Sequence, residues 1–343
     1  MAMALLSAAL FGAATPASKL LLHDLSPFTL AGLLYLGAAL AVARRALRGN
    51  VARWRLDRRN ALRLGGAVLF GGGLGPVLLL LGLRLASAAS VALWLNLEMV
   101  ATAVLGALVF RDHLGRLGWA GVLGVVLAGV LLSFEEGAAG PKAGLFVAAA
   151  CVCWGLDNHL TALIDGITPT QSTLCKGLAA GAVNLAIGLV LEPFRAGPGT
   201  VALATLVGCA SYGASIALYI AAAQQMGATR AQMAFASAPF FGVALAATVL
   251  REPISEGQIG AAGLLVASLV LLFRDRHSHE HVHEETAHAH MHRHDDGHHT
   301  HVHPGLPSCT RHSHRHEHER IVHSHPHWPD LHHRHAHGER TTS

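Results

Sequence analysis

About ten runs of roughly 20 mostly apolar residues follow one another along positions 1 to 273 of this chain, and that pattern leaves it few ways to fold. A bilayer core is about 30 Å thick and an α-helix rises about 1.5 Å per residue, so each run is long enough to cross. Irregular backbone facing lipid would leave N–H and C=O groups unpaired, so the runs are expected to be helical. A β-barrel would alternate polar and apolar residues, which these runs do not. Composition agrees, because only 13% of the 343 residues are charged, against roughly a quarter in a soluble domain. The predicted fold class is all-α integral membrane. The first run, Met1 to Leu22, has no basic n-region and no small-residue cleavage site before a soluble domain, so it is expected to be a membrane helix rather than a signal peptide.

The predicted spans are 3–22, 27–43, 62–82, 86–110 and 117–134, then 143–164, 170–191, 201–223, 228–250 and 256–273. Glu135, Glu136, Pro141 and Lys142 mark a polar break between two halves, 1–134 and 143–273. The halves resemble one another at an offset of about 140. Leu10-Phe11-Gly12 answers Cys153-Trp154-Gly155, Leu25-Ser26-Pro27 answers Ile167-Thr168-Pro169, and Phe110-Arg111-Asp112 answers Leu250-Arg251-Glu252. An odd number of helices per unit makes successive units enter the membrane in opposite directions, which is an inverted repeat.

Basic residues in short loops set the orientation. Arg44, Arg45, Arg48, Arg53, Arg55, Arg58, Arg59 and Arg63 lie between the second and third spans, and Arg111 and Arg116 between the fourth and fifth. Those loops are expected in the cytoplasm, which puts both termini there too and makes this a multi-pass protein of the inner membrane. Four of the five cysteines, Cys151, Cys153, Cys175 and Cys209, lie inside apolar runs and imply no disulfide framework; they are expected to act as small apolar packers. The glycines of Gly71-Gly72-Gly73, with Gly75 and Pro76, are expected to serve close packing or a bend in the third span.

The run Ala86-Ser87-Ala88-Ala89-Ser90, leading to Leu97-Glu98 and closing with Phe110-Arg111-Asp112-His113-Leu114, is similar to the fourth helix of the EamA-type permeases of the drug/metabolite transporter superfamily. The stretch from Trp154 to Thr161 also looks like a subgroup of them, and the resemblance covers both halves. The second half has Ser237-Ala238-Pro239 where the first has Leu97-Glu98, so any role of that acid is not duplicated. The resemblance implies ten helices and export of small solutes, without naming the solute.

Ionisable side chains cost roughly 2.5 to 3.5 kcal/mol at the centre of a membrane helix, which makes each one a candidate for function. Glu98 falls well inside the fourth span, with Trp94 one turn earlier and Asn96 between them. Asp157 has Trp154 and Thr161 on its helix face and Asn158 and His159 adjoining; Lys19 and Lys176 lie in the first and seventh spans. Together these are the expected transport cavity, in which Glu98, Asp157 and His159 would coordinate a cation or exchange a proton for it. Oxygen with imidazole suits nickel, cobalt or zinc. The competing account is a set of interhelical hydrogen bonds, or a lysine-carboxylate pair, that fixes helix packing. The two lysines also fit structural or snorkelling roles.

After Phe273 the composition changes: residues 274–343 hold 23 of the 26 histidines and no run able to form a core. This tail is expected to be cytoplasmic, and disordered without metal. Its histidines alternate with other residues at His277, His279, His281 and His283; His288, His290, His292 and His294; and His299, His301 and His303. The pattern returns at His312, His314, His316 and His318; His323, His325 and His327; and His333, His335 and His337. Neutral imidazole suits zinc, nickel, copper and cobalt, so the tail is expected to bind such ions. Eight basic and ten acidic residues make it slightly negative apart from its histidines, so it is no polybasic membrane anchor.

The leading expectation is a secondary exporter of divalent metal, nickel or cobalt first and zinc next, driven by proton exchange. The rivals are an exporter of an organic metabolite or drug, with Trp94 and Trp154 lining an apolar cavity, and a membrane-tethered metal buffer or sensor. No P-loop or zincin motif supports catalysis, so an enzyme is not expected. No prosthetic group or nucleic-acid partner is expected. The expected partners are the solute or ion and the lipid bilayer, with a homodimer left open.

Overall fold

The computed structural model describes residues 1–48, 57–109, 114–164, 167–226 and 234–274, together with 277–283, 286–292, 312–318 and 321–327. It divides into two compact units, Met1–Asp275 and Arg276–Ser343.

The first unit is helical among its described residues. Its elements are α1 (Ala2–Leu21), α2 (Pro27–Arg48), α3 (Arg58–Leu85), α4 (Ala88–Val109), α5 (Arg116–Glu135), α6 (Gly140–Ala162) and α7 (Pro169–Leu191). Then come α8, in three pieces from Pro198 to Met226, α9 (Ala238–Val249) and α10 (Glu256–Arg274). Among the described residues nine helices are long and apolar enough to cross a membrane. The tenth expected span appears as α9, an apolar helix of 12 residues. The residues 227–233 before it, and the charged turn 110–113 expected after α4, lie outside the described residues.

The repeated sequence landmarks have a local physical cause. Ser26 and Thr168 precede the prolines that open α2 and α7, and each side chain accepts a hydrogen bond from a first-turn amide, Thr29 at 3.2 Å and Gln171 at 3.3 Å. A hydroxyl cap followed by proline satisfies a free helix amide and pre-sets the backbone, so each pair starts a helix. Asp57 does the same for α3, accepting from the Asn60 amide at 2.8 Å, and so starts that helix four residues earlier than hydropathy predicts.

The third helix of each half carries a seven-residue π-helical segment, Val68–Leu74 in α3 and Gly208–Ala214 in α8. The two are 140 positions apart, the offset of the sequence repeat. The fourth helix of each half also has an interruption. Turn residues Leu95 and Asn96 divide α4, and Ala236 and Ser237 precede α9. Asn96 folds its amide onto the Leu93 carbonyl at 2.9 Å and satisfies part of the break.

Small residues let these helices approach closely. Gly32, Gly177 and Gly181 seat α2 against α7, with backbone where a Cβ would stand, and Gly37 and Gly208 do so for α2 against α8. Ser7 and Ser215 exchange hydrogen bonds with each other's carbonyls at 2.7 and 2.9 Å, joining α1 to α8.

One end of the bundle is tied by polar groups around the start of α4. The Glu252 carboxylate accepts from the Ala88 and Ala89 amides at 3.0 and 3.1 Å, and Glu136 accepts from the Ser87 amide and hydroxyl. Gln258 donates to Ser90 at 2.9 Å, while Lys19 caps the end of α3 through the Leu83 and Ala86 carbonyls at 2.6 and 2.7 Å. Negative groups thus sit at a helix N-terminus and a positive group at a C-terminus, as the helix dipoles favour. The tie joins the linker between the halves and the turn after α9 to the first half.

In the second unit, β1 (His277–His283) pairs antiparallel with β4 (Ile321–His327), and β2 (Thr286–His292) with β3 (His312–His318). Their alternation of histidine with other residues, broken at Thr286 and Ile321, has the two-residue period of a strand.

Candidate functional site

The π segment of α3 is the centre of the candidate site. A π segment shifts the helical hydrogen-bond ladder and leaves carbonyls to be satisfied from elsewhere. Here three neighbouring helices supply the donors. The Tyr35 hydroxyl on α2 donates to the Gly71 carbonyl at 2.5 Å, and the Trp154 indole on α6 donates to the same oxygen at 3.0 Å. The Asn184 amide on α7 donates to the Gly72 and Gly73 carbonyls at 3.1 and 3.2 Å.

Asp157 stands against this segment, its carboxylate occupying the space that a Cβ on Gly71 would need. Lys176 on α7 holds both carboxylate oxygens, at 3.0 and 2.9 Å, and Thr161 donates to the first at 2.8 Å. The Asp157 and Lys176 side chains are 12% and 16% exposed. In so dry a setting an ion pair survives because each charge neutralises the other. Asp157 and Thr161, expected on one helix face, and Lys176 of another span are therefore one group.

Glu98 lies elsewhere, just after the break in α4. Asn158 on α6 donates to its carboxylate at 3.1 Å and to the Thr102 hydroxyl at 3.2 Å. Asn158 is exposed. This is an open polar seam between α4 and α6, with a carboxylate, an amide and a hydroxyl within reach of one small solute.

The remaining expected cavity residues are placed differently. Trp94 is 1% exposed and donates to the Gly129 carbonyl on α5 at 2.9 Å, so it packs between helices. Asn96 is buried at the break. His159 is buried, and its Nδ1 lies 2.8 Å from the Gly155 carbonyl of its own helix. Two residues along a helix turn about 200°, so His159 and Asp157 occupy different sides of α6. Lys19 belongs to the tied end described above. Glu98, Asp157 and His159 do not converge, and among the described residues no three histidine, cysteine or acidic side chains are grouped to hold a metal.

Sequence reasoning missed an aromatic series through the bundle. Tyr35 lies 5.7 Å from Tyr212 in the π segment of α8, and Tyr212 lies 5.9 Å from Phe11. Phe11 lies 5.3 Å from Phe235, and Phe235 lies 5.1 Å from Tyr219. The series joins the π segments of the two halves and contains all three tyrosines of the chain. That scarcity was the available signal, since a tyrosine within a span needs a partner for its hydroxyl.

A family model described as the EamA-like transporter family matches residues 1–134 and 141–274. An uncharacterized transporter of Methanothermobacter thermautotrophicus is 25% identical over 287 residues, covering 76% of this chain and 82% of its own. A solved structure described only as "Crystal structure of protein" is similar in fold, with a TM-score of 0.55 and 17% identity, over 78% of this chain and 93% of that one.

Proposed function

Since the chain belongs to the EamA-like transporter family, and is thus a multi-pass membrane transporter, we propose that it is a secondary-active exporter of divalent metal, nickel or cobalt first and zinc next. The observation that carries the choice of metal is the tail, which gathers 23 of 26 histidines directly after the last span. It would collect cytoplasmic ions for an export route through the bundle. Along that route Glu98 is the acid open to a cation, with Asn158 and Thr102 as neutral oxygen ligands; hard oxygen donors can pass an ion on without trapping it as thiolates would. Asp157 and Lys176 form a charge pair that protonation of the carboxylate would break, leaving one net positive charge, and such a step suits exchange of a proton for the ion. The arginines of the short loops support a cytoplasmic tail, by the positive-inside tendency, in a protein of the inner membrane.

The aromatic series favours a second reading, export of an organic solute, because stacked tyrosines and phenylalanines suit an apolar or cationic organic body. Uptake of nickel, cobalt and zinc into inside-out vesicles separates the two. Uptake by the full-length protein that falls at least about tenfold in Glu98→Gln supports metal export. No uptake of any of the three by a well-inserted protein rejects it in favour of the organic solute.

A further inference from the structure

Helix α4 is two pieces that the rest of the bundle holds differently. All seven residues of the first piece, Ala88–Trp94, are buried. Of the 13 in the second, Leu97–Val109, only Val100, Ala101 and Gly106 are. Among the described residues the first piece packs against α1, α3, α5, α6, α9 and α10, whereas the second has α5 and α6 as its main neighbours. Polar groups fasten the first piece as well: Glu252 and Gln258 hold its N-terminal turn, and the Trp94 indole ties its far end to Gly129. One piece is anchored, and the other, which carries Glu98, is restrained on fewer sides.

The link between them is a short run of tighter helix. The Asn96, Glu98 and Met99 amides donate to the carbonyls three residues back, Leu93, Leu95 and Asn96, at 3.2, 3.1 and 3.2 Å. A 3₁₀ stretch inside a helix is a common site of hinge motion. Asn96 is 4% exposed, and its side-chain amide adds a second bond to the Leu93 carbonyl at 2.9 Å. In a continuous helix that carbonyl would accept from the Leu97 amide, so Asn96 competes with the regular ladder. The second half has the same arrangement before α9. There the Ser237 hydroxyl and amide donate to the Ala234 carbonyl at 2.6 and 3.2 Å, and the Phe240 amide to the Ser237 carbonyl at 3.1 Å. Two different side chains thus make the same bond at the same break in each half.

We propose that Asn96 is a positioning residue for transport: it keeps α4 in two pieces, so that the second turns about Leu95 and Asn96 against α6 while the first stays fixed. This rests on Glu98 lying along the route of the solute, and not on which solute it is. The contact that would open is built to separate. A Cβ on Gly155 of α6 would lie 3.1 Å from the Thr102 amide nitrogen and 3.2 Å from the Leu105 side chain, so the helices meet there across a glycine rather than an interlocking side chain. One turn further, Asn158 donates to both Glu98 and Thr102. Turning the second piece breaks those two bonds and carries Glu98 away from α6, and its return remakes them. Discontinuous helices in inverted repeats are where secondary transporters place the groups that meet the solute.

The test reads the motion with no solute present. A cysteine replaces Leu105, which faces Gly155 from the second piece, or Val91, 0% exposed in the first. Full-length protein in inside-out and right-side-out vesicles is treated with a membrane-impermeant maleimide, and labelling of the parent protein is subtracted. In the vesicle orientation that labels faster, Leu105→Cys is expected to react at least about tenfold faster than Val91→Cys. Adding Asn96→Ala, which favours a continuous helix, should slow Leu105→Cys at least about fivefold. Asn96→Ser, which can make the bond that Ser237 makes, should leave it within about twofold of its original rate. Equal rates at the two cysteines would overturn the proposal, whether or not the Asn96 variants fold. So would an unchanged Leu105→Cys rate in Asn96→Ala, and a lower thermal midpoint beside that unchanged rate would leave Asn96 a packing residue. No metal enters this measurement, so metal export and the hinge fail separately.

Discussion

Asp157 and Lys176 answer the competition between ligand and packing group in geometric terms: each is the other's partner, and Thr161 completes the group. Removing one member of a buried ion pair strands a charge and costs about 3 to 5 kcal/mol, whereas removing both can be nearly neutral. Asp157→Asn and Lys176→Met are each expected to lower the thermal midpoint of the detergent-solubilised protein, and the double variant to recover most of the loss. A double variant as damaged as the sum of the singles would show that the two do not depend on each other. Either single change is also expected to slow proton-coupled flux, which the stability assay does not report. Glu98 is different in kind, since its partner is the neutral amide of Asn158.

At the scale of elements, the π segment of α3 couples three helices to one short stretch of backbone. Gly71 is the tightest point, because the carboxylate fixed by Lys176 fills the place of a side chain there. Gly73, two residues on, meets only the Val68 carbonyl of its own helix at an ordinary 3.5 Å. Gly71→Ala is therefore expected to displace Asp157 and abolish transport with a clear loss of stability, while Gly73→Ala stays within about 1 kcal/mol of wild type. Comparing melting and vesicle flux of the two variants checks this, and equal damage would refute it. The matching segment in α8 carries Tyr212 where α3 has Gly72, so the two halves share a frame and differ in chemistry.

The whole molecule joins a helical transporter unit to a histidine-rich unit of separate construction. Bound imidazoles must be neutral, so the metal-loaded tail holds fewer protons than the free tail. Metal affinity therefore rises with pH and is lost as pH falls through the ordinary imidazole range near about 6.5. Zinc bound by the full-length protein is expected to be retained at pH 7.5 and released at pH 5.5, as measured by equilibrium dialysis. A 1–273 truncation should abolish that pH-dependent binding and leave helical content per span unchanged, because the first unit makes its own core.

Hydropathy determined the helical fold, because only helices of about 20 residues satisfy their backbone in lipid, and hydroxyl-proline caps and the offset of about 140 gave the repeat. The boundaries moved mainly where a polar cap, such as Asp57, overrode the apolar count. The sequence also named Asp157, Thr161, Lys176, Glu98 and Asn158 as polar residues where polarity is costly. It had no means to sort them, since partnership depends on which helix faces which. Tertiary packing alone set Lys176 on Asp157, buried Trp94 against Gly129 and sent Lys19 to cap α3. It also turned Tyr35 and Trp154 onto Gly71, because the π segment exposes a carbonyl that no local pattern announces. Periodicity is a property of one element, and a site belongs to the contacts between elements.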